Sequence, residues 1–206
     1  WMSLFSDLMF SCRSEMLFKT SSGKAYIIHH EPKTSVYSFI SADILLRSLK
    51  LDEIPTRQRV AKGVLSYSAN DEFNESIPLK YEVDATRIND ISWSSNFIGT
   101  YAIAKKILAF WTRLGYLATQ FVEFESTGKV LHLEEGDVVE LTHTKLNWTY
   151  NKLIITDIES LGVNRFRFRA RIYPDATDST GIFYQPTDAE IPLGTDSFAG
   201  LYPPAI

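Results

Sequence analysis

Four carboxylates, Glu123, Glu125, Asp157 and Glu159, stand in alternating pairs within two apolar-rich segments. Two carboxyl groups held ~5 to 9 Å apart across a sugar are what glycosidic cleavage needs, so a hydrolase using Glu123 or Glu125 is one reading of the spacing. A second reading comes from residues 164–173, where Arg165, Arg167, Arg169 and Arg171 alternate with Phe166, Phe168, Ala170 and Ile172. That period of two sets guanidinium groups on one face of a strand and apolar side chains on the other. Beside such a stripe the carboxylates read as cross-strand ion pairs, each contributing about 0.2–1 kcal/mol, and this reading is preferred. The same arginines suit a subunit interface, where Arg is enriched and meets carboxylates two-pronged. Nucleic acid is the poorer partner, because no aromatic side chain shares the arginine face to stack bases.

Other residue types are suggestive without forming a constellation. His29, His30 and Glu31 are metal-ligand types, but adjacent strand residues point to opposite faces. His132 and His143, with Glu134 and Asp137 between them, lack zinc spacing. Asp175–Gly181 has carboxylates and hydroxyls for Ca²⁺ but neither the spacing nor the terminal Glu of an EF-hand. There is no Gly-rich phosphate loop and no Gly-x-Ser-x-Gly elbow. Catalytic residue, cofactor and metal are therefore each expected to be none. The sequons at Asn74 and Asn147 are read as chance, since no secretion signal accompanies them. Trp148 and Tyr150 read as loop aromatics on which sugars stack, and they carry the alternative reading of a carbohydrate- or receptor-binding β module.

These side chains need elements to position them. Leu4, Phe5, Leu8 and Met9 predict a short amphipathic helix within Ser3–Cys12. Met16–Lys19 and Ala25–His29 flank Gly23 as a hairpin. Val36–Ile40 and Lys62–Ser68 read as strands, and Ser41–Arg47 as one or two helical turns. The strongest helical pattern covers about 97–114, with Tyr101, Ala104, Leu108 and Trp111 on one face and Ile103, Ile107, Phe110 and Leu114 widening it. Lys105, Lys106, Ala109, Thr112 and Arg113 are its expected solvated stripe, Ser94 or Ser95 its cap and Gly115 its end. Five strands follow, Thr119–Glu125, Val130–Leu133, Val138–His143, Leu153–Glu159 and Asn164–Tyr173, with Gly in three of the turns. Such short, close strands predict a small antiparallel β-barrel or a strongly curled sheet. In the Glu135-Gly136-Asp137 turn, Gly136 supplies backbone freedom and Asp137 accepts from nearby amides.

The 206 residues carry 21 Lys and Arg against 25 Asp and Glu, so the net charge of −4 gives no reason to expect nucleic acid as the main partner. The lone Cys12 cannot make an internal disulfide, and the apolar stretch 1–10 is too short and polar to span a bilayer. An opening at Trp1-Met2 and a Pro-rich close read as a fragment of a longer chain.

The order of these elements resembles the hub, or tail-tip, proteins of bacteriophage tails. The resemblance rests on Lys62-Gly63-Val64-Leu65-Ser66-Tyr67, the aromatic helix, Phe121-Val122-Glu123-Phe124 and Leu131–Thr142 with its Gly136-Asp137-Val138-Val139 turn. Glu134-Glu135 stands where Pro often precedes that Gly, and Arg59-Val60-Ala61 where an Asn-led stretch is common. The resemblance implies an α+β, β-rich fold, with a mixed N-terminal part (1–95), a buried helix leading into a ring-forming β-barrel (96–175) and an irregular arm or linker (176–206). It further implies a structural, non-enzymatic virion protein that is assembled in the bacterial cytoplasm. Its partners would be itself, as a homotrimer, and tube or distal tail subunits, with no membrane and no specific nucleic acid.

Overall fold

The computed structural model describes residues 2–19, 24–70, 75–86 and 89–191. The chain opens with α1 (Met2–Ser11) and turns at Arg13 (φ +51°) into an antiparallel hairpin of β1 (Ser14–Lys19) and β2 (Lys24–His29). The tip of that hairpin, Gly23 included, lies outside the described residues. β3 (Tyr37–Ile40) and β4 (Lys50–Glu53) follow. Next come β5 (Lys62–Asn70), β6 (Glu75–Glu82) and β7 (Asp90–Ser95), a three-stranded sheet in the order β6-β5-β7 with β7 parallel to β5. Helix α2 (Tyr101–Leu117) leads to β8 (Gln120–Thr127), β9 (Val138–His143), β10 (Trp148–Gly162) and β11 (Arg165–Ile172).

The last four strands join β3 and β4 in one six-stranded sheet, β3-β9-β10-β11-β8-β4. Only the β3–β9 pair is parallel. The sheet curls until its two ends nearly meet. Phe39, on an edge strand, sits 4.9 Å ring to ring from Phe124 and 5.6 Å from Phe168, near the other edge. Ile40 is still paired with β9, yet Ile44 already bridges Ser126 of β8 and Leu45 N donates to Glu125 O. Four residues reach at most ~14 Å, so residues 41–43 step across the gap between the edges. Val122, Phe124, Leu141, Leu153, Ile155 and Phe168 fill the interior so enclosed.

Outside that curl, α2 is buried on two sides. Ala104, Ile107 and Leu108 pack on Leu65, Leu79 and Tyr81 of the three-stranded sheet. Phe110 and Leu114 pack on Val138 and Ile154 of the six-stranded sheet, together with Tyr173, Ile182 and Phe183. β9 and β10 are thus buried on both faces, which explains the unbroken apolar runs Val138-Val139 and Leu153-Ile154-Ile155.

Several sequence expectations are corrected. The fold is mixed α+β and β-rich, but among the described residues the larger sheet is not hydrogen-bonded into a closed barrel, and it is mixed rather than purely antiparallel. Its edge strands β3 and β4 come from before residue 95. Residues 41–47 form turns and a bridge rather than a helix, and Val130–Leu133 is a 3-10 turn and bend. α2 starts after Thr100 and ends at Ala118, while Ser95 Oγ accepts from Phe97 N at 3.2 Å in the preceding bend. Gly115 lies inside the helix, where an added Cβ would stand 2.9 Å from Val60 Cβ, so close packing rather than helix termination requires it. The expected solvated stripe is largely buried, because residues 174–184 cover it. Arg113, 5% exposed, donates to Gly181 O (2.6 Å), Ser179 O (2.5 Å) and Tyr81 Oη (3.1 Å). Residues 176–191 are irregular as expected but packed, with Ile182, Phe183 and Ile191 buried. The rest of that arm lies outside the described residues. Among those residues no helix is long and apolar enough to cross a membrane.

Gly63 tests the seat of α2. A methyl group there would stand 2.8 Å from Leu108 Cδ1 and 2.9 Å from Trp93, and would strike Thr112 Oγ1. Gly63→Ala should therefore lower the urea-unfolding free energy by about 1–3 kcal/mol, as overpacking does. Gly99→Ala, with open space around the new methyl, should leave it within about 0.5 kcal/mol.

Candidate interaction face

The outer face of the six-stranded sheet is divided. Over β9 and the first half of β10 it is covered by α2; over β8, β11 and the second half of β10 it carries the charged residues. β11 lies between β8 and β10, and the register gives each central arginine a carboxylate on both sides. Arg167 is opposite Glu125 and Glu159, and Arg169 is opposite Glu123 and Asp157. A bulge at Thr156 makes this possible. Leu153 and Ile155 point into the curl, so without an extra residue Asp157 would follow them. The register shift between Ile155 and Asp157 turns Asp157 and Glu159 onto the arginine face and leaves Ile158 in the interior. Thr156 Oγ1 donates to Arg169 O at 3.0 Å and fixes the bulge.

Distances bear out the preferred ion-pair reading. Arg167 Nη1 lies 3.0 Å from Glu159 and Nη2 3.2 Å from Glu125. Arg169 Nε lies 3.1 Å from Glu123 and Nη1 3.2 Å from Asp157. Arg165 grips Glu125 through Nε (2.7 Å) and Nη2, and Lys50 Nζ reaches Glu123 at 2.8 Å. Four cations thus meet four carboxylates in a neutral lattice. The hydrogen bond from Lys50, then that from Arg169, holds the Glu123 carboxyl below its ordinary range. The hydrogen bond from Arg165, with a lesser one from Arg167, does the same to Glu125.

Arg171 belongs to a different arrangement that sequence reasoning missed. Its Nη2 lies 3.3 Å from Glu15 Oε2 on β1, and that same oxygen is 3.4 Å from Nε2 of the fully buried His30. Phe110, Trp111 and Tyr173 surround the imidazole with centroids 5.3, 6.0 and 5.8 Å away. Burial alone would raise the Glu15 carboxyl, but His30 and Arg171 together bring it down to about 2. Glu15 thereby ties the hairpin to the body. Its partners are 15 and 156 residues away, and no local pattern announces them.

The remaining candidates are dispersed. Gly136 has φ +93°, its N donates to Ile155 O at 2.8 Å, and Asp137 Oδ2 accepts from Glu134 N at 2.8 Å. An added Cβ at Gly136 would stand 3.0 Å from Ile28 Cγ1, so the turn also seats the hairpin. Trp148 and Tyr150 are not in a loop: both lie in β10, Trp148 packed against the core and Tyr150 64% exposed at φ +52°. His143 is buried opposite Trp148, while His132 is exposed beside Tyr37. Asp175 pairs with Lys152, and Asp178 caps Thr180.

No protein-family model and no curated protein matches the sequence. Solved structures do match the fold. A chain from the virion of a native gene transfer agent particle superposes with a TM-score of 0.69 and 16% identity, over 89% of this chain and 40% of that one. The 43 kDa tail protein of prophage MuSo2 from Shewanella oneidensis gives 0.52 at 14% identity, over 90% of this chain and 54% of that one. A tail protein from Neisseria meningitidis MC58 gives 0.53 at 10% identity, over 84% and 54%. This chain therefore spans about half, or less, of the length of the proteins whose fold it shares.

Glu15 makes stability depend on acid. A carboxyl lowered to about 2 in the folded state, against ~4.3 unfolded, contributes fully above pH ~4.5 and loses its contribution as pH falls toward 2. Glu15→Gln should lower the urea-unfolding free energy at pH 7 by about 1–3 kcal/mol. It should also flatten the decline between pH 4.5 and 2 relative to the parent protein.

Proposed function

We propose that the chain is a structural subunit of a phage or prophage tail, part of a hub or tail-tip protein that assembles on itself, as a homotrimer, at the end of the tail tube. In this reading it resides in the virion, is assembled in the bacterial cytoplasm, and contacts tube or distal tail subunits. The observation that carries the reading is a fold shared over nearly the whole of this chain with a gene transfer agent virion protein. The ion lattice supports it from the residues. A pre-neutralised, flat sheet face can be buried against a neighbour with less desolvation penalty than isolated charges, and the half-exposed Arg165 and Arg169 retain donors for a partner's carboxylates.

A hydrolase is disfavoured by the electrostatics of its own candidates. A general acid needs a carboxyl kept protonated near neutral pH, and the cations around Glu123 and Glu125 push both the other way. The carbohydrate-binding reading loses the paired platform that it required, since Trp148 packs against the core and leaves Tyr150 as the exposed ring of the two.

Light scattering coupled to size exclusion, at concentrations up to ~100 μM, tests self-assembly. The expected mass is near three subunits, falling to one in Arg167→Glu with the circular dichroism unchanged. A monomer across the range, or a trimer indifferent to Arg167→Glu, contradicts the assembly reading or the placement of the interface respectively.

A further inference from the structure

Helix α1 is poorly seated. Of its residues 3–11 none is buried, and Leu4, Phe5 and Leu8 are 56%, 36% and 42% exposed. Ten residues are too few to hold a helix in water by propensity alone, so packing must hold it. That packing is concentrated at its last turn. The Phe10 ring lies 5.5 Å from Trp93 and 5.6 Å from Trp111, and Trp111 Nε1 donates to Phe10 O at 3.0 Å.

Between α1, β1 and β7 the structure leaves a groove of about 730 Å³. Its walls include the rings of Phe5, Phe10, Trp93 and Trp111, and its only charged lining residues are the acids Asp7 and Glu15. The two acids differ. Glu15 is already matched by Arg171 and His30. Asp7 Oδ2 accepts from Asn96 N at 3.1 Å, but Asp7 Oδ1 is shut off from solvent without a hydrogen-bond partner. Leaving a charged oxygen buried and unpaired is unfavourable, and the missing complement is a cation. Aromatic faces beside a carboxylate form the environment that attracts a Lys or Arg side chain.

We propose that this groove is a docking site for a basic, apolar segment of a partner protein. A Lys or Arg of the segment pairs with Asp7 Oδ1 against the aromatic wall, and the segment's apolar side chains cover Leu4, Phe5 and Leu8. The site lies away from the arginine lattice and does not depend on the tail reading.

Binding of a fluorescently labelled fourteen-residue amphipathic peptide of Leu, Phe and Lys to the whole chain, followed by anisotropy, tests the site. A counterpart peptide with Glu in place of Lys is the control. The Lys peptide is expected to bind and the Glu peptide not to. Asp7→Asn, which keeps an acceptor for Asn96, should weaken binding about tenfold, the lower end for a charged hydrogen bond. Glu53→Gln, a distant exposed acid, should leave it unchanged. The proposal is overturned by equal binding of both peptides, by binding of neither, or by equal effects of Asp7→Asn and Glu53→Gln. A concentration-dependent dimer of the chain alone, abolished by Leu8→Glu, would also overturn it by making a second copy the occupant.

Discussion

Helix α2 has to satisfy two sheets at once, and the arrangement of the molecule follows from that demand. With Leu108 on one side and Phe110 and Leu114 on the other, it can have no broad polar face. Arg113 shows how the remaining polarity is handled: its guanidinium is buried but spends its donors on Gly181, Ser179 and Tyr81. The same bonds fasten residues 174–184 over the helix. The small residues Gly63 and Gly115 let backbone and side chains approach it closely.

The curled sheet needs less from any single residue and more from its register. One additional residue, Thr156, switches the side-chain parity of β10 in mid-strand. The first half then faces its odd-numbered leucine and isoleucine inward, while the second turns its odd-numbered acids toward the arginines of β11. An apolar interior and a charged exterior coexist on one strand because of that irregularity.

Sequence patterns were readable where they were local. The alternation of Arg with Phe, Ala and Ile in β11 specified both its strand character and its two faces, and the alternating acids pointed to its ion pairs. Strand β6 alternates equally well, with Ile77, Leu79 and Tyr81 buried, but Pro78 disguised it. On an edge strand that proline is tolerated. β4 is exposed throughout and carries no period to read. Val130 and Leu133 mimicked a strand because both are buried, although at the spacing of a 3-10 turn. The partners of Glu15 and the cover over Arg113 come from distant parts of the chain, so spacing gives no hint of them.

The crossing at residues 41–43 has a consequence for how the protein forms. It fixes β3 to β9 and β4 to β8, strands that leave the ribosome roughly 70 to 100 residues later. Until then the early strands have no partners in their own sheet, and closing loops of that size precedes any gain from pairing. Folding of the curled sheet is therefore largely post-synthetic for this segment. The charges of β4, at Lys50, Asp52 and Glu53, help keep a waiting strand from pairing with the wrong edge.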